Sequence, residues 1–359
     1  WHGLEPPYES LFAWLTGAAD KPEPKALALF RPVMLATALD EDDLTGKLDP
    51  GDFAAEWKWD GARVQAVCET GLKRLYSRSG DEISAAFPDV LDGLDFEGAI
   101  DGELLIRRPD GTVAPFGELQ QRLNRKTVSK KQREQRPAFI RAYDVLSLDG
   151  EDQRRKPFRE RRAALERLIA GHEGDRLDLS PLVAFDAWEA LRAARAEPPA
   201  PEIEGLMLKR WDSVYEPGRP KGPWFKWKRD PFLIDAVLLY AQRGHGKRSS
   251  FYSDYTFGVW RDSDKGEELV PVGKAYFGFT DEELKKIDKF VRDNTIDRFG
   301  PVRAVKPELV LEVAFEGLNR STRHKSGLAM RFPRIHRLRW DKPAREADRI
   351  ESLKALLPD

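Results

Sequence analysis

One cysteine, Cys68, stands in 359 residues. A single thiol excludes a disulfide framework and any cysteine-rich zinc module. His172, His245, His324 and His336 show no metal-ligand spacing, so histidine chemistry is not invoked. No apolar run is long enough to span a bilayer, and no signal-peptide pattern is present. Repeats and low-complexity tracts are absent. Net charge is −1, so no global field points to nucleic acid, and any such surface has to be a local patch. These absences lead to the expectation of a cytoplasmic protein.

What is present is a chain 41% hydrophobic and 34% charged, able to bury cores and stay soluble. Its length suits two or three domains. The stretch Glu56-Trp57-Lys58-Trp59-Asp60-Gly61-Ala62-Arg63 organises the reading. On a strand, period two puts Glu56, Lys58 and Asp60 on one face and Trp57 and Trp59 on the other. Gly61 permits a turn or a close backbone approach. A lysine becomes a nucleophile when desolvation or cationic neighbours lower its pKa, and aromatic backing with Arg63 nearby fits that requirement. A surface-strand lysine between two packing tryptophans fits these eight residues equally well.

Along the chain, an amphipathic segment over residues 1–20 precedes a linker with Pro22 and Pro24. Phe53 to Glu69 is strand-rich, and Glu69-Thr70-Gly71 turns it into a hairpin with Leu72 to Tyr76. Phe96 to Gly102 and Phe139 to Leu146 read as strands, with Tyr143 at a strand end. Gly117 to Gln135 reads as a basic helix, and Pro157 to Ala170 and Trp188 to Ala196 as helices. Trp224-Phe225-Lys226-Trp227-Lys228 alternates lysines with aromatics. Arg229-Asp230-Pro231 marks a domain boundary. Beyond it come strands at Ile234–Tyr240, Phe251–Trp260, Leu269–Val272 and Leu309–Phe315. One helix interrupts them, Asp281 to Asp293, capped by Thr280. That pattern suggests a small Greek-key barrel of the OB type.

Six separated stretches place charge at strand ends or in glycine turns: Lys58/Asp60/Arg63, Arg78, Asp101/Glu103, Glu204, Lys226/Lys228, and Arg331/Arg334/Arg337 with Asp341/Lys342. Attack by a lysine on phosphorus needs cations for the phosphates, carboxylates for a divalent ion and a slot for the base. Singly each stretch reads as a solvated charge pair; jointly they share one chemistry.

The set resembles the ATP-dependent DNA ligases of the covalent nucleotidyltransferase superfamily. Lys58-Trp59-Asp60-Gly61-Ala62-Arg63 is similar to the family's K-x-D-G-x-R, whose lysine carries the adenylate. Ser77-Arg78-Ser79-Gly80, Asp101-Gly102-Glu103, Tyr143-Asp144, Glu204-Gly205, Lys226/Lys228 and Arg331 through Lys342 resemble the further motifs, in family order. Tyr143 stands where many relatives carry Phe. The resemblance implies Lys58 as the catalytic nucleophile. It implies ATP contacts from Glu56, Trp57, Arg63, Arg78, Glu103, Tyr143, Lys226, Lys228, Arg331, Arg334 and Lys342. It implies Mg²⁺, with Mn²⁺ as a substitute, on Glu103 and Glu204.

The fold so implied is α+β: an adenylyltransferase domain of ATP-grasp-like antiparallel sheets with flanking helices over residues 31–229, then an OB-fold β-barrel over 230–359. Residues 1–30 are expected to be the remnant of an N-terminal DNA-binding domain and a linker. The implied substrate is nicked duplex DNA, bound by a monomeric, nucleoid-associated enzyme without membrane contact. Candidate DNA-binding residues are Arg122, Arg125, Lys126, Arg243, Lys247, Arg248, Arg320 and Arg323, each readable also as part of a solvated charge run. Rival readings are an RNA ligase or capping-type enzyme, and an inactive DNA-binding module. Motion of the barrel about Arg229-Asp230-Pro231 is expected if its motif serves the nucleotide.

Overall fold

Strand-forming runs dominate the chain, and they pair almost entirely antiparallel. The computed structural model describes residues 7–20, 28–44, 46–123, 125–244, 251–264, 266–276 and 280–357. They divide into two compact units, Trp1–Arg229 and Asp230–Asp359.

The first unit is built on two sheets. In one, Phe53–Trp59 pairs with Ile203–Arg210, which pairs with Trp224–Lys228. The register sets two rows across this sheet: Lys58–Gly205–Lys228 and Glu56–Met207–Lys226. Gly205 has φ +144°, and a Cβ there would meet the Trp227 carbonyl oxygen at 2.2 Å. Only glycine fits between the two lysines.

In the other sheet, Ala62–Glu69 lies between Leu72–Ser77 and Gly98–Ile106, and the latter pairs with Ala138–Leu148. Here the register sets the row Arg63–Glu103–Arg141. The chain passes from one sheet to the other at Asp60-Gly61. A Cβ on Gly61 would lie 2.6 Å from the Leu104 carbonyl oxygen and 2.7 Å from Glu103 Cγ. Helix Phe158–Ala170 packs Ala164 and Leu165 into the core beneath the second sheet. Its Arg161 grips Asp144 through two bonds of 2.8 and 3.0 Å, with both side chains wholly buried.

In the second unit, Gly266–Ala275, Tyr252–Ser263 and Phe232–Arg243 run side by side. Phe232–Arg243 is long enough to pair with Val310–Phe315 at one end and Val302–Val305 at the other. The curled sheet wraps a core that includes Phe257, Leu311 and Phe315. Helix Asp281–Asp293 adds Ile287 and Val291 to that core, and its start is a capping box between Thr280 and Glu283.

Several boundaries differ from the sequence reading. Gly117 to Gln135 is not one helix: Phe116–Gln120 and Lys130–Gln135 are separate. Between them the chain bends so that Arg122 can bury its guanidinium, and Ser129 starts the second helix with its own capping box. Tyr143 sits mid-strand, because Ala138–Leu148 continues past it. Strands Thr295–Phe299, Val302–Val305, Gly317–Arg320, Leu328–Arg331 and Arg334–Arg339 were not anticipated; charge and glycine mask their alternation. Among the described residues 7–20, Glu9–Leu15 is helical. Among the described residues no helix is long and apolar enough to cross a membrane.

Candidate active site

Between the two sheets of the first unit lies a cavity of about 550 Å³. One sheet contributes Glu56, Trp57, Lys58, Lys226 and Lys228; the other contributes Arg63, Glu103 and Tyr143, with Arg78 from the turn after Leu72–Ser77. Nine residues from five separate stretches therefore face one space.

Lys58 donates a short hydrogen bond to Glu204, which also stands 4.0 Å from Lys228. Burial disfavours the Lys58 ammonium, but Glu204, aided by Glu103 and Asp60, outweighs burial and holds its pKa above the ordinary lysine value. This corrects the expectation of a lysine already depressed by its neighbours. Three carboxylates stand near the amine, and their charge exceeds the effect of burial and of the neighbouring cations. Glu204 responds in the opposite sense: against burial, Lys58 and Lys228 hold its carboxyl below the usual range.

Glu103 is pushed up to about 7 by burial, a shift that Lys58 and Arg63 limit and that Glu204 and Asp60 reinforce. Lys226 is lowered by burial and then by the cations Lys228, Arg219, Lys58 and Arg78. A lysine pressed by four like charges marks a place where an anion is welcome.

Arg63 is fixed on three sides. It donates to the Met34 carbonyl at 2.5 Å, to Asp101 at 2.6 Å and to the Tyr215 hydroxyl at 3.0 Å. Tyr215 in turn donates to Asp101 at 2.5 Å. Glu56 is buried and held by Arg162 at 3.0 Å and Lys209 at 2.6 Å. Its carboxylate is therefore an acceptor at the wall of the cavity. Tyr143 presents a ring with Lys209 Nζ 4.4 Å from its centroid and Arg63 5.8 Å away.

Residues 33–228 match the ATP dependent DNA ligase domain, and residues 248–342 match the ATP dependent DNA ligase C terminal region. The chain belongs to the ATP-dependent DNA ligase family. A probable DNA ligase of Koribacter versatilis is 35% identical, over 93% of this chain and 62% of the relative. DNA ligase 1 of Korarchaeum cryptofilum is 36% identical, over 91% of this chain and 60% of the relative. The chain thus spans less than two thirds of these relatives' lengths. The solved structure of a Lig E DNA ligase superposes with a TM-score of 0.59 at 19% identity, covering 86% of this chain and all of that one (100%). The fold is the ligase one, a nucleotidyltransferase domain followed by an OB-fold domain.

The ligase residues expected from the barrel lie in the second unit. Lys342 pairs with Asp235 at 2.7 Å, and Arg331 stands 5.7 Å from the exposed Phe332 ring. Arg334 begins strand Arg334–Arg339 and is half-buried. Of the expected DNA contacts, Arg125, Lys126, Arg243, Arg320 and Arg323 are exposed. Arg122 is not: it is 1% exposed, donates to Asp89 at 2.5 Å and lies 4.7 Å over Phe87. It is removed from the DNA set, since no phosphate can reach a guanidinium sealed in this way. Lys247 and Arg248 lie outside the described residues.

Lys209, Arg162 and Tyr215 were not singled out in the sequence, and Asp101 was noted only as part of the Asp101/Glu103 stretch, without its bonds to Arg63 and Tyr215. Each acts through a partner more than 30 positions away, and no local spacing announces that.

Proposed function

We propose that this chain seals nicks in duplex DNA by way of a lysyl adenylate. The convergence of Lys58, Glu103, Lys226, Lys228 and the Tyr143 ring on one nucleotide-sized cavity, with Glu204 hydrogen-bonded to Lys58, carries the reading. Lys58 Nζ attacks the α-phosphorus of ATP, an N–P bond forms, and the bond to pyrophosphate breaks. Nζ must first give its proton to solvent, and a cation drawn to Glu204 and Glu103 would cancel the negative charge that holds that proton in place. AMP then passes to the 5′-phosphate at the nick, and the 3′-hydroxyl displaces it. Such transfers gain chiefly from positioning and charge stabilisation.

Lys226, Lys228 and Arg78 would neutralise the triphosphate. Tyr143 would lie against the purine, with Glu56 accepting from its edge. Glu103 and Glu204 are hard oxygen donors that suit Mg²⁺ or Mn²⁺. Among the described residues no cluster of three or more metal-type ligands exists. An ion held here would complete its shell with water and phosphate oxygens, as Mg²⁺ commonly does. It would supply added neutralisation of phosphate charge. Arg331, Arg334 and Lys342 would orient the departing pyrophosphate, which requires the barrel to close over the nucleotide. A scattering profile that is the same with and without ATP counts against that closure.

Incubation with α-labelled ATP and Mg²⁺ tests the core of the proposal. Covalent label on the protein is expected, and its loss in Lys58→Ala. No label on the parent chain overturns the enzyme reading, and label surviving in Lys58→Ala moves the nucleophile elsewhere. Comparing nicked DNA with broken RNA separates the DNA ligase from an RNA ligase.

A further inference from the structure

On the second unit, helix Asp281–Asp293 and the residue following strand Arg334–Arg339 enclose a groove of about 470 Å³. Its lining is Lys286, Lys289, Phe290, Asp293, Asn294 and Trp340. None of these residues lines the nucleotide cavity, and only Trp340 falls within a motif discussed above, between Arg339 and Asp341 of the barrel motif.

Trp340 is 52% exposed, unusual for the largest apolar side chain. Phe290 meets it edge-on, with centroids 5.8 Å apart and planes at 67°. An edge contact steadies the indole and leaves a ring face open. Lys286 and Lys289 are three apart on the helix, share one side of it and are exposed. No ion pair engages either among the described residues. Asn294 spends its amide N–H on the Phe290 carbonyl at 3.0 Å, which leaves its oxygen as an acceptor.

An open aromatic face beside two uncommitted cations matches the needs of a single nucleotide: stacking for the base and charge for the phosphate. Paired bases in a duplex have both faces covered by their neighbours, so the aromatic face selects an unpaired one. The two lysines outweigh the single carboxylate of Asp293, so the ligand is an anion.

We propose that this groove binds an unpaired nucleotide of single-stranded DNA, the base stacked on Trp340 and the phosphate held by Lys286 and Lys289. The inference rests on the ligase reading only in taking DNA as the partner. It adds a contact to a single-stranded flank, separate from the nick itself.

Fluorescence anisotropy with a labelled short oligothymidylate tests it. Lys286→Ala/Lys289→Ala and Trp340→Ala are each expected to weaken binding about tenfold, and Trp340→Phe to retain most of it. In the lysine double variant, adenylate formation on Lys58 is expected to be unchanged. Failure of the parent chain to bind the oligonucleotide overturns the proposal. So does affinity within about twofold of the parent in both the lysine variant and Trp340→Ala, since stacking and charge would then contribute nothing. Single-strand binding that follows the expected pattern in a chain that never forms an adenylate would uphold this groove while refuting the ligase reading.

Discussion

Lys209 Nζ stands 2.6 Å from Glu56 and donates a 2.9 Å hydrogen bond to the Tyr143 carbonyl. One ammonium thus joins the strand that carries Lys58 to the strand that carries Tyr143. Both ends of the pair are buried, at 1% and 2% exposure. Burial lowers the Lys209 pKa, and Glu56 and Asp144 oppose that fall.

Lys209→Met is therefore expected to destabilise the first unit by about 3–5 kcal/mol, the range for breaking a buried pair from one side. Urea denaturation reads this as a lower midpoint. The ATP concentration for half-maximal adenylation should also rise, because Glu56 and Tyr143 lose their common support. An unmoved midpoint would mean that Arg162 alone suffices for Glu56.

Glu103 gives a pH signature. Its folded pKa, about 7, is raised above the ordinary carboxyl value of 4.5. The folded state therefore binds this proton more tightly than the unfolded chain does. That contribution is complete below the unfolded pKa and is lost as pH rises through about 7. Without nucleotide or metal, Glu103→Gln should gain stability relative to the parent between pH 5 and pH 8, by on the order of a few kcal/mol. Unfolding curves at those two pH values check it, and a constant difference between the two proteins rejects it.

Tyr215→Phe removes a hydroxyl that accepts from Arg63 and from the Met34 amide, both at 3.0 Å, and donates to Asp101 at 2.5 Å. The buried Asp101 carboxylate keeps Arg63 and Gln65 as donors. The fold should hold while Arg63 loses its alignment. Single-turnover adenylation is expected to slow by about tenfold, the equivalent of one lost hydrogen bond to a charged group. A rate equal to the parent's would show that Asp101 orients Arg63 unaided.

The basic segment after Phe116–Gln120 separates packing from binding. Arg122→Ala should cost about 3 kcal/mol by removing the close partner of Asp89 and leaving it only Arg176 at 3.8 Å, with the salt dependence of nick binding unaltered. Arg125→Ala/Lys126→Ala should do the reverse, reducing the salt slope by up to about 1.8 with little effect on stability. Binding of labelled nicked duplex across a salt series distinguishes the two.

These contrasts show what local sequence carries. Lys58, Lys226 and Lys228 were legible as candidates because each sits in a short string whose alternation fixes its face, and Arg78, Glu103 and Tyr143 because their short strings resemble motifs of the ligase family. Helix Asp281–Asp293 was legible through its cap and its apolar spacing. Arg122 was not, because a run of bases reads the same whether water or Asp89 receives it. Lys209 and Arg162 meet Glu56 only through strand register and helix placement, across 153 and 106 positions. The raised pKa of Lys58 was hidden for the same reason: Glu204 lies 146 positions away and arrives beside it through pairing of the two strands.

That last contact has a consequence for the protein at rest. A protonated amine offers no lone pair. While Glu204 holds Lys58 in that form, carbamylation, glycation and stray acylation find no nucleophile there. The side chain proposed to carry the adenylate is thereby kept inert when alone.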